Sequence, residues 1–133
     1  MTQFTLAGEN GRLRVALENC PAGSLSCRAT VEIEVPGYRA EGKVWLSRAA
    51  LAAFASELRA CDQSLDGAAR LTSDQESLSL TVTYQRRSGR VEVTGAYRQT
   101  MVLANELRFG MLTDQSYMAE SLLQVEQCVS SLL

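Results

Sequence analysis

Histidine is missing from all 133 residues of this chain, and its absence removes whole classes of chemistry. Ser-His-Asp and Cys-His nucleophile systems need an imidazole to take the proton, and histidine-ligated metals need its ring nitrogens. Only carboxylate or arginine chemistry is left. Long apolar runs are missing too, and nothing approaches the length of a membrane span. Charge of one sign is scarce: 13 basic and 15 acidic residues are interspersed and leave a net −2. So weak a field recruits neither a polyanion nor an anionic bilayer, so neither a nucleic acid nor a membrane is expected as a direct partner.

What is present is ordinary for a folded protein. Hydrophobic residues make up 46% and charged residues 21%, which places the chain with globular proteins rather than disordered tails. The length fits one domain, 1–133, large enough to bury roughly two-thirds of its unfolded surface. The opening MTQFTLAGENGRLRV puts glycines and polar residues where a signal peptide requires an unbroken apolar stretch, so the expected location is cytoplasmic. Of the four cysteines, Cys20 and Cys27 flank a turn and can face each other across a hairpin. The redox argument favours free thiols over that bridge, with Cys61 and Cys128 as small buried hydrophobes.

Hydrophobic periodicity sets the order of elements. Gln3 to Ala7 predicts a short strand, closed by the turn former Gly8-Glu9-Asn10-Gly11. Arg12 to Glu18 alternates with Leu13, Val15 and Leu17 on one face. A longer alternation sends Leu25, Cys27, Ala29, Val31, Ile33 and Val35 one way and Ser26, Arg28, Thr30, Glu32 and Glu34 the other. After Pro36-Gly37, Tyr38 to Leu46 returns with Tyr38, Ala40, Val44 and Leu46 inward and Arg39, Glu41, Lys43 and Trp45 outward. The stretch from Leu46 to Cys61 then changes period: Leu51, Phe54, Ala55, Leu58 and Cys61 recur at helical spacing, and Ser47 is suited to cap the first turn.

The second half repeats that order of elements. Ala68 to Thr72, Ser77 to Tyr84, Arg90 to Tyr97 and Met101 to Leu112 predict four strands, the last with Met101, Leu103, Leu107, Phe109 and Met111 on one side. A final helix starts near Thr113 or Asp114, with Met118, Leu122, Val125, Val129 and Leu132 as its buried stripe. The similar order and length of the halves suggest an old duplication, although the residues themselves do not repeat convincingly. The expected fold is α+β: a curved, antiparallel, meandering sheet of about eight strands with two helices packed on one face.

No constellation announces a reaction or a cofactor. Glu32 and Glu34 share a strand face, but outward glutamates on a solvated strand explain them better than an acid/base pair. Asp62 with Asp66, or Asp74 with Glu76, lacks the ligand count of a calcium loop. Gly8 to Gly11 lacks the lysine and hydroxyl of a phosphate loop. Arg86, Arg87 and Arg90 form a basic hairpin tip with little aromatic interleaving, a weak sign of phosphate binding. Trp45, the only tryptophan, is more informative. Alternation points it outward among Arg39, Glu41 and Lys43, where an exposed indole can anchor an interface; the competing reading is that an irregularity at Gly42 flips it into the core.

The segments VEIEVPGYRAEGKVWLSRAALAAFASELRACDQSLDGAARL, LSLTVTYQRRSGRVEVTGAYR and LRFGMLTDQSYMAESLLQVEQCV together resemble the WapI-like family of bacterial immunity proteins. An alternating strand leads through a Gly-Tyr turn into the helix of Leu51, Phe54 and Leu58. A link to Gly67 precedes Ala69 and Leu71, a strand pair follows around Gly89 with Val91, Val93 and Gly95, and Thr113-Asp114-Gln115-Ser116-Tyr117 opens the last helix. Roughly the last hundred residues take part, consistent with one whole domain. The resemblance implies a small cytoplasmic antitoxin that binds the toxin domain of a polymorphic toxin, often a nuclease, and supplies no catalytic residues. Its contact surface is expected on the polar sheet face, with Trp45, Arg39, Glu41, Lys43, Glu32 and Glu34 as the partner-binding residues and a monomer or weak homodimer as the assembly. The alternative is a non-catalytic structural or small-ligand-binding domain.

Overall fold

Strict alternation needs a partner strand at every step, and the computed structural model, which describes residues 2–99 and 105–132, supplies one. Strands β1 (Thr2–Ala7), β2 (Arg12–Asn19), β3 (Ser26–Val35) and β4 (Tyr38–Ser47) precede helix α1 (Arg48–Ser64). Strands β5 (Gly67–Thr72), β6 (Leu78–Gln85), β7 (Arg90–Arg98) and β8 (Glu106–Asp114) precede helix α2 (Gln115–Ser130). All neighbouring strands are antiparallel, as expected, but they form two four-stranded sheets, β1-β2-β3-β4 and β5-β6-β7-β8, rather than one continuous sheet. The division falls where α1 interrupts the meander. Met101 and Leu103 lie outside the described residues.

The inner faces of both sheets and the apolar stripes of both helices share one core. The helices lie against each other, and each crosses to the other half of the chain: α1 packs on β5 and α2 on β1. Phe54 of α1 also reaches Phe4 of β1, ring centroids 6.3 Å apart. Arg59 joins the helices through a two-pronged contact with Glu126, one bond measuring 2.9 Å.

The helices begin where a strand's last residue turns out of its sheet. Ser47 Oγ accepts from the Ala50 amide at 3.0 Å, and the Asp114 carboxylate accepts from the Ser116 and Tyr117 amides at 2.9 and 3.1 Å. Leu46, the expected start of the first helix, therefore still belongs to β4. Buried positions recur with one spacing: Leu51 and Met118, Phe54 and Ser121, Ala55 and Leu122, Leu58 and Val125, and Cys61 and Cys128 are each 67 residues apart, like the caps Ser47 and Asp114. The repeated order of elements is matched by a repeated geometry of the two helices. Ser121 and Cys128 thus join the buried stripe, while Val129, turned one position away from it, and Leu132, beyond the helix end at Ser130, are only partly covered.

Cys20 and Cys27 are bonded, with Cα atoms 4.5 Å apart, where free thiols were favoured; Cys61 and Cys128 are free and buried. The turn they close is held by Arg48, whose guanidinium donates to the carbonyls of Pro21, Ser24 and Leu132. Leu25 belongs to this turn rather than to β3, and it is 84% exposed instead of inward. Tyr38, also expected inward, is exposed at the first position of β4.

Candidate partner-binding face

All six residues expected at an interface lie on the outer face of the first sheet, and strand pairing brings them together. Directly opposed across β3 and β4 are Glu34 and Arg39, Glu32 and Glu41, Thr30 and Lys43, and Arg28 and Trp45. The register runs unbroken through Gly42, so Trp45 stays outward and is 50% exposed. The inner side of Gly42 is occupied from the other sheet: a Cβ at position 42 would fall 1.7 Å from the Tyr97 hydroxyl, which reaches over from β7 and would have to move aside.

Strand β2 adds residues that alternation alone does not join to the group. Arg14 pairs with Glu32 at 2.5 Å and Arg12 with Glu34 at 3.1 Å, while Arg39 approaches Glu34 at 3.7 Å from the other side. A bulge between Leu17 and Asn19 leaves Glu18 without a cross-strand partner. Glu18 instead accepts from Lys43 at 2.7 Å and from Thr30. The Lys43 and Thr30 hydrogen bonds hold its carboxyl below the usual carboxylate range. These longer side chains stand around Ala16 and leave a shallow depression of about 350 Å³ walled by Gln3, Arg14, Glu18, Glu32, Glu41 and Lys43. The bulge has no signature in the sequence, so only the β2–β3 register could have revealed this wall.

The carboxylates of this face are mostly engaged by cations, and no group of three or more His, Cys, Asp or Glu among the described residues could hold a metal ion. The acidic residues of the other candidate sites serve the fold or stand apart. Asp74 accepts from Ser26 Oγ at 3.0 Å and fastens the β5–β6 turn to the first sheet, and Asp62 accepts from the Tyr84 hydroxyl at 3.1 Å. Burial and that carboxylate push the Tyr84 phenol well above its ordinary value. Arg86, Arg87 and Arg90 remain exposed on the β6–β7 hairpin. A second opening, about 430 Å³, lies between the start of β4 and the β7 and β8 ends, with Tyr38, Ala40, Tyr97 and Leu107 on its walls. None of the described helices is long and apolar enough to cross a membrane.

Comparison with known proteins gives a match over nearly the whole chain. A model described as the immunity protein WapI-like family covers residues 4–132, taking in the N-terminal strands as well as the segments that carry the resemblance. No curated protein matches.

Proposed function

The chain belongs to the WapI-like immunity protein family, and from that membership we propose that it binds and neutralises the toxin domain of a bacterial polymorphic toxin by protein–protein contact. The contact face in this reading is the outer side of the first sheet. The observation that carries the choice is Trp45, a half-exposed indole on a face whose other large side chains are charged. A tryptophan so placed has much surface to lose to a partner, and its charged neighbours provide the polar rim that excludes water around such an anchor.

Arg39, Glu41, Lys43, Glu32 and Glu34 supply that rim. Arg12, Arg14 and Arg39 already lie beside Glu32 and Glu34, so part of the rim's charge is paired within the chain before a partner arrives. A nuclease is the toxin class this reading favours, since carboxylates such as Glu41 complement a basic nucleic-acid cleft. Neutralisation by occlusion requires no catalysis from this chain, and the cytoplasm is where the toxin would have to be met.

The test is co-expression with the toxic domain encoded beside this gene. Protection and co-purification are expected, and Trp45→Ala should weaken binding by more than about 1 kcal/mol without lowering the melting temperature. Unchanged killing together with no co-purification would rule out that pair. Undiminished binding by Trp45→Ala and Glu41→Lys would move the contact to another face.

A further inference from the structure

Each four-stranded sheet has two edges, and three of the four are occupied within the chain. On β1, Gln124 of α2 accepts from the Thr5 amide at 2.8 Å and Ser121 donates to the Thr5 carbonyl at 2.6 Å. On β5, Glu57 of α1, at the same helix position as Gln124, accepts from the Arg70 amide at 3.0 Å. On β8, the Leu112 carbonyl accepts from the Glu9 amide at 3.1 Å, and Gly8 lies so close that a Cβ would come within 2.2 Å of that oxygen. The ten-residue β4 is different: it pairs with β3, and although the Asp74–Glu76 turn and the ends of β7 and β8 lie near it, among the described residues no backbone hydrogen bond reaches its other side. Such an edge is a template for another strand.

We propose that the strand it takes is β4 of a second copy of this chain, antiparallel and centred on Gly42. Charge selects both the occupant and the register. A two-fold pairing about Gly42 sets Glu41 of each copy opposite Lys43 of the other, and Arg39 opposite Trp45, on one shared outer face. Two ion pairs and two guanidinium–indole contacts result. Centring the pair on Glu41 instead sets Arg39 against Lys43 and Glu41 against itself. Centring it on Ala40 shortens the paired stretch.

Among the described residues, Glu41 is also the carboxylate of this face that is free to take a partner's cation. Its neighbour Glu32 takes Arg14, Glu34 takes Arg12 and Arg39, and Glu18 takes Lys43, while Glu41 makes no ion pair among the described residues. The same operation on β8, centred on its middle residue Gly110, would oppose Glu106 to Asp114, so self-complementarity is a property of β4 and not of both outer strands. A single strand pair buries less than the roughly 1,000 Å² of a standard stable interface, so the dimer is weak and forms with rising concentration. This self-recognition does not depend on the toxin-binding reading.

The experiment is sedimentation velocity on the full chain over a wide concentration range, comparing the wild type with Glu41→Lys, Lys43→Glu and the double variant. Each single change places like charges opposite each other twice, so each should weaken dimerisation by about tenfold, and the double change should restore it. Amide exchange of residues 38–46 in the unmodified chain should slow as concentration rises. A wild type that stays monomeric, a dimer indifferent to the single changes, or a double variant no better than the singles would each overturn the proposal.

Discussion

At position 42 the crowding that a side chain would meet comes from the opposite sheet, not from its own strand. Because the Tyr97 hydroxyl occupies the place of a Cβ, Gly42→Ala should push the phenol aside and destabilise the fold by about 0.5–1.5 kcal/mol, and a Tyr97→Phe background should recover part of that loss. Chemical denaturation of the four chains of that cycle measures it; additive losses would mean that the two residues do not meet. The outward set of Arg39, Glu41, Lys43 and Trp45 was readable because side-chain direction in a strand depends only on parity. Tyr97 above Gly42 was not, because that contact spans two sheets. Glu18 was missed as part of the charged face for a similar reason: a bulge is a property of a pair of strands.

The two free thiols make a second prediction at this scale. Burial raises the Cys128 thiol to about 11 and pushes Cys61 upward as well. Near neutral pH both are protonated and shielded, so a thiol reagent should modify them only as fast as the fold opens. Labelling followed by mass spectrometry under native conditions tests this; immediate reaction of both would contradict it.

Elements were largely readable from period and caps, and the failures have physical causes. Both helices and their cap residues follow from local chemistry, since a hydroxyl or carboxylate ahead of a helical stripe satisfies its first amides. Where one sheet ends and another begins does not, since alternation has the same form in one sheet or two. Helical period alone puts Val129 in the stripe of α2 where the fold puts Ser121 and Cys128, because the partner of this face, the edge of β1, lies at the far end of the sequence. The contact between the helices carries a pH prediction. The Arg59 hydrogen bond holds the Glu126 carboxyl below its ordinary 4.5, so this pair contributes fully above that value and is lost as pH falls through the lower folded pKa. Glu126→Gln should therefore lower stability near neutral pH and flatten its acid dependence; equal slopes in both chains would count against it.

For the whole molecule, the candidate face came from one half of the chain, and the family resemblance gave it a meaning that composition alone could not. A binding protein needs no special residue chemistry, so its purpose leaves few marks in a single sequence. The spacing of 67 residues between equivalent helix positions is hard to see in the sequence because, apart from Cys61 and Cys128, the residues that fulfil it differ, Phe54 against Ser121 and Leu58 against Val125. What repeats at such sites is burial: Ser121, far smaller than Phe54, meets it by donating its hydroxyl to the Thr5 carbonyl.

The crossed placement of the helices has a practical outcome. Each half carries the lid of the other, so a chain severed near Leu65 yields two pieces that each expose the edge their missing lid would cover. Neither piece should be stable alone, and mixing them should regenerate the native circular dichroism spectrum. The protein is in that sense a fragment-complementation pair joined by a short tether.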